Sequence, residues 1–163
     1  MSGPKVTLFI PCLIDQVYPE MGIATLHVLR HVGCDVQYDS RAACCGQAAL
    51  NAGDLAKAAS VAKTFVASHG ADEHTVMPSG SCAATVRRSY EELFRNSHYE
   101  RGAHACAAHT FELCQFLVQQ GLHEKINGSF LGRVGLHLSC HSIRDLGVTD
   151  EPMRVLERIA GCE

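Results

Sequence analysis

The sequence predicts an α/β fold in which a parallel sheet is flanked by helices, and three observations lead there. Short apolar or alternating runs recur at 6–11, 35–39 and 74–78. Each is followed by a longer stretch with helical spacing of its apolar residues, at 19–32, 54–69 and 82–95. The connections between them are short. A β-α-β-α-β-α order with short connections puts strands side by side in parallel, with helices packed over them.

The elements follow in order. Residues 6–11 (VTLFIP) read as a buried strand. In the helix over 19–32, Pro19 suits the first turn, where its missing N–H is not needed, and Gly33 suits the position just past the end. Residues 35–39 (DVQYD) alternate like a strand and lead into the loop SRAACCGQ. The helix over 54–69 opens on Asp54, whose carboxylate can accept a free backbone N–H, and stops at Gly70. Residues 74–78 (HTVMP) form a third short strand, followed by the helix over 82–95. Residues 104–121 predict a further amphipathic helix, with Phe111, Cys114, Leu117 and Val118 on one face. A strand over 133–138 and a helix over 151–160 complete the chain.

Composition narrows the function. The chain has 163 residues, 47% hydrophobic and 19% charged, which excludes a disordered tail. The net charge is −3 and no stretch clusters basic residues, so there is no electrostatic footprint for nucleic acid. The longest apolar run, VTLFIPCLI, is too short to span a bilayer and is broken by Pro11. It also lacks the charged start and small-residue cleavage site of a secretory signal, so a soluble, cytoplasmic protein is expected. There are nine cysteines and ten histidines. An odd number cannot be fully paired in internal disulfides, and clustered cysteines in such a chain point to metal or redox chemistry.

The last stretch repeats the first. Val6, Leu8 and Cys12 lie 128 positions before Val134, Leu136 and Cys140, and the same offset takes Arg30 to Arg158, Gly33 to Gly161 and Cys34 to Cys162. It would carry Cys44 and Cys45 past the last residue. The expected organisation is therefore one whole unit over 1–100, a connecting helix within 101–132, and over 133–163 the beginning of a second, incomplete unit. Such a chain reads as a truncated or processed form.

Cys12 follows the first predicted strand, Cys44 and Cys45 the second, and Cys82 the third. Ligands of open parallel sheets bind outside the carboxyl ends of the strands, so these four thiols should meet on one rim. Four gathered thiols are the soft ligands that zinc or an iron–sulfur cluster takes. Gly46 permits a positive φ or a close backbone approach to a cofactor. Cys34, Cys106, Cys114 and Cys162 lie within or at the ends of helices and read as small core residues. Cys106 with His109, His27 with His31, and Cys140 with His141 have metal-compatible spacings, but a single pair is not a site. Ser79-Gly80-Ser81 reads as an ordinary helix cap, with anion binding as the alternative.

Cys12, ACCGQ (43–47), PSGSC (78–82) and Tyr90 together resemble the cysteine-rich CCG domain family. Its signature is one cysteine, a later Cys-Cys-Gly and a C-x-x-C beyond that. Members include the heterodisulfide reductase B subunit, the C subunit of anaerobic glycerol-3-phosphate dehydrogenase and the lactate-utilization iron–sulfur proteins. PCLIDQVYPEMG, CCGQAALNAGD, PSGSCAATVRRSY and FELCQFLVQQG are similar to the last subgroup, and the resemblance covers the whole chain.

The resemblance implies a Rossmann-like domain and proteins that carry two such units. It implies an iron–sulfur cluster, of the 4Fe-4S kind, on Cys12, Cys44, Cys45 and Cys82, beside Gly46, with Cys140 opening a second site. The implied function is electron transfer in an oxidoreductase that turns L-lactate into pyruvate together with other subunits of a lactate-utilization complex. One departure stands out: Ser79 occupies the place of the first cysteine of the C-x-x-C, and a hydroxyl is a poor ligand for a soft cluster. This leaves open a cluster with fewer protein thiolates, ligands shared with the second unit, or no cluster. The alternatives are a zinc-binding or metal-free module that docks a partner, a thiol/disulfide redox protein like the heterodisulfide reductases, and a metal-free thiol sensor. Pairing with a second copy, as a homodimer, also stays open.

Overall fold

The computed structural model describes residues 3–41 and 44–163. Ala42 and Ala43, in the loop ahead of the paired cysteines, lie outside the described residues, as do Met1 and Ser2. Four strands, β1 (Lys5–Leu8), β2 (Asp35–Tyr38), β3 (Thr75–Met77) and β4 (Thr110–Glu112), form one sheet in the order β2-β1-β3-β4. All neighbours are parallel: Lys5 faces Asp35, Thr7 faces Thr75, and Thr75 faces Thr110. The expected parallel α/β fold is therefore what the chain adopts.

Side chains alternate across the sheet and build two cores. On one face Phe9 and Met77 pack with Phe65 of α4 (Leu55–His69) and with Tyr90 of α5 (Gly80–Leu93). On the other, Val6, Leu8 and Val76 pack with Leu29 of α2 (Pro19–His31) and with Phe116 of α7 (Leu113–Gln119). The caps are those the residue types require. Pro19 sits in the first turn of α2, and Asp54 accepts the Lys57 N–H at 2.9 Å at the start of α4. Gly33 follows α2 with φ of 95°.

Two short helices, α1 (Cys12–Val17) and α3 (Gln47–Asn51), were not expected, being too short for a periodicity to register. The helix expected over 104–121 is divided. It is α6 (Glu100–His109), then β4, then α7. Pairing with β3 overrides the helical spacing here, and Glu112 then caps α7 by accepting the Gln115 N–H at 3.0 Å.

The last segment also departs from expectation. The strand expected over 133–138 is absent; β5 lies earlier, at Gly128–Gly132, and pairs in parallel with β6 (Ile159–Cys162). A strand needs a partner, and β6 is engaged by β5, with only Val134 continuing the pairing to the Glu163 carbonyl at 2.7 Å. The helix expected over 151–160 is shorter, α8 (Glu151–Leu156), because its last residues enter β6. The segment after Cys140 forms a wide helical turn over His141–Leu146 that packs against α5. Among the described residues no helix is long and apolar enough to cross a membrane.

Candidate thiol site

The sheet order puts β1 next to β3, and the chain leaves both strands at the same edge. Three turns past β1 and β3 and beyond β2 then deliver the cysteines. Cys12 is the first residue of α1, Cys44 and Cys45 precede α3, and Cys82 lies in the first turn of α5. All four line one cavity of about 510 Å3 with Ser79 and Ser81. Cys45 and Cys82 are buried, Cys44 is half-buried and Cys12 is exposed.

The Cys12 and Cys44 sulfurs are 3.7 Å apart. Cys45 interacts with both Cys44 and Cys82. Those interactions divide the thiols into two kinds. Donation from Cys45, then from the Gly46 N–H and Cys12, holds the Cys44 thiol down at about 5 against burial. Donation from Cys45, then from Ser79 and Ser81, holds Cys82 at about 7, again against burial. The Cys45 thiol, whose single proton is shared between Cys44 and Cys82 and which is itself buried, is pushed up, and burial pushes Cys12 up as well. Two members of the set are thus biased toward the thiolate, the form that binds metals.

Backbone geometry fixes this wall. Gly46 has φ of 84°, which a side chain would strain, and a Cβ there would lie 3.1 Å from the Ala58 carbonyl oxygen. The close approach is thus to the backbone of α4, and the Gly46 N–H lies 3.4 Å from the Cys44 sulfur. Tyr90, fully buried, donates its hydroxyl to the Cys45 carbonyl at 2.9 Å. Ser79 caps α5 through its hydroxyl, 3.4 Å from the Cys82 N–H and 3.4 Å from the Ser81 hydroxyl.

Cys140 does not line the cavity; it is exposed at the start of the His141–Leu146 turn. That turn approaches closely, since a Cβ on Gly80 would run into the Ser142 hydroxyl. Cys34 and Cys106 are buried in the two cores, while Cys114 and Cys162 are half-buried. Among the described residues no group of three or more His, Cys, Asp or Glu side chains forms a site for a single metal ion. The rest of the cavity lining was not foreseen. Leu13, Gln16 and Val17 come from α1, and Gln47 and Asn51 from α3, the two helices too short to be read from periodicity.

The donor set is soft, anionic in part and lines a cavity larger than one ion needs, which fits a multi-metal thiolate-held cluster. The chain is similar to proteins named "Lactate utilization protein A". In Geobacillus kaustophilus the identity is 41% over 160 residues, covering 98% of this chain and 66% of the relative. In Geobacillus thermodenitrificans it is 39%, with the same coverage. In Halalkalibacterium halodurans it is 38%, covering 98% of this chain and 65% of the relative. The chain therefore spans just under two thirds of the length of these relatives. No solved structure matches. The family model of the cysteine-rich domain termed CCG matches residues 6–87, which hold all four cavity cysteines, and the chain belongs to the CCG cysteine-rich domain family.

Proposed function

We propose that this chain binds an iron–sulfur cluster, of the 4Fe-4S kind, through Cys12, Cys44, Cys45 and Cys82, and carries electrons in a cytoplasmic oxidoreductase complex that oxidises L-lactate to pyruvate. The carrying observation is that four thiols from three strand ends line one cavity. When bound, the cluster would supply one-electron transfer, whereas lactate oxidation releases two electrons and two protons. The chain's own residues hold and bias the donors. Gly46 and Tyr90 fix the Cys44–Cys45 backbone, and Ser79 and Ser81 direct hydroxyls at Cys82. The lactate assignment rests on the names of the relatives, and the partners are the other subunits of such a complex. The unit over 1–100 is proposed as the cluster-bearing domain. Residues 101–132 are its connector, and 133–163, with Cys140, open a second unit.

The test is iron and acid-labile sulfide per chain in protein purified without oxygen, with Cys44→Ser and Cys45→Ser beside it. Iron and sulfide in similar amounts, lost in both variants, support the proposal. Unchanged iron in both variants removes it.

A second reading has its own observation. The 3.7 Å between the Cys12 and Cys44 sulfurs, with Cys44 held low, suits a dithiol that closes to a disulfide with release of two electrons and two protons. This thiol/disulfide chemistry predicts no iron and a mass loss of two hydrogens on oxidation. Stoichiometric zinc without iron would instead indicate a docking module.

A further inference from the structure

A second polar cavity lies on the far side of α5 from the thiols, about 400 Å3 in volume, between α5, α6 and the His141–Leu146 turn. Its walls carry three arginines, Arg87, Arg88 and Arg144, and two carboxylates, Glu91 and Asp145. The carboxylates are already engaged by histidines. Glu91 lies 3.0 Å from His104 Nδ1, and Asp145 lies 2.6 Å from His141 Nδ1. Among the described residues none of the three arginines forms an ion pair.

Neighbouring guanidiniums on an open surface splay apart into water, but two of these are held. Arg87 donates to the Gln115 side-chain oxygen at 2.9 Å, and Gln115, which is buried, is itself anchored by donating to the Leu146 carbonyl at 3.2 Å. Arg88 donates through Nε to the Asp145 carbonyl at 2.9 Å. Each guanidinium has five N–H donors in a fixed fork, and one side-chain bond each leaves most of them free to face the cavity. Burial first, and then the charge of Arg88, press the Arg87 guanidinium below its usual value. Paired arginine forks match the planar oxygens of carboxylates and the terminal oxygens of phosphates.

We propose that Arg87, Arg88 and Arg144 bind a small oxyanion, a carboxylate or phosphate group, in a site separate from the thiol cavity. The anion bridges α5 to the His141–Leu146 turn and so tightens the attachment of the segment that bears Cys140.

The test is thermal unfolding and calorimetric titration of the full chain with sodium acetate, sodium L-lactate and inorganic phosphate. Each is compared with sodium chloride at equal ionic strength. A saturable rise in Tm with acetate and lactate identifies a carboxylate site, and one with phosphate alone a phosphate site; either supports the proposal. Arg144→Gln, at a side chain that makes no hydrogen bond among the described residues, should weaken binding about tenfold, the loss of one charge-assisted contact. Arg87→Lys, which keeps the charge and loses the fork, should weaken it similarly. No saturable effect beyond chloride with any probe, or equal binding by wild type and Arg144→Gln, would overturn it.

Discussion

Tyr90 shows how single residues hold the site. Its ring fills the core against Phe65 and Phe94, and its hydroxyl reaches across to the Cys45 carbonyl. Removing that hydroxyl leaves a buried acceptor unpaired, so Tyr90→Phe should lower stability by about 1–3 kcal/mol in urea unfolding while the fold persists. His69 sets a pH dependence. It is buried between Phe9 and Phe65, with Asp72 and Asp39 drawing its charge up, Arg41 pushing it down, and burial dominating to lower its pKa. Below the ordinary histidine value of 6.5 the unfolded chain takes up a proton that the folded chain refuses. Stability should therefore fall as pH drops from 6.5 through the lower folded value, and His69→Phe should flatten that slope in unfolding curves taken across the range.

At the scale of elements, α4 tests the value of a cap. Asp54→Ala should cost about 1 kcal/mol because the Lys57 N–H loses its acceptor, whereas Asp54→Asn should be close to neutral, and the difference is measurable by thermal unfolding. This cap was legible in the sequence, as were Pro19 and Gly33, because each depends only on its own residue type at a chain turn. The three leading strands and their helices were legible for the same reason. β4 was not: Thr110, Phe111 and Glu112 become a strand only because β3 offers an edge, a non-local circumstance that helical spacing hides. The cysteine set was legible through topology, since a parallel sheet aims its strand ends one way. The amide and apolar walls of the cavity were not, since α1 and α3 are shorter than two turns.

For the whole molecule, burial divides the chain unevenly. β1 and β3 lie between two cores, whereas the chain from 128 to 138 is largely exposed, with Leu131 92% exposed. Hydrogen exchange should be slowest in β1 and β3 and fast from 133 to 138, where limited proteolysis should also cut first. Equal protection across both regions would contradict this picture. The adjacency of β1 and β3 reaches further, into the order of events in the cell. Cys12 and Cys82 are separated by 70 positions in the chain, yet share one cavity once β3 has settled beside β1. A nascent chain still lacking its third strand presents scattered sulfurs, to which a stray soft ion binds weakly and reversibly. Under the proposed cluster assignment maturation would thereby be timed: the complete donor set exists only after the sheet has closed, so loading would follow folding.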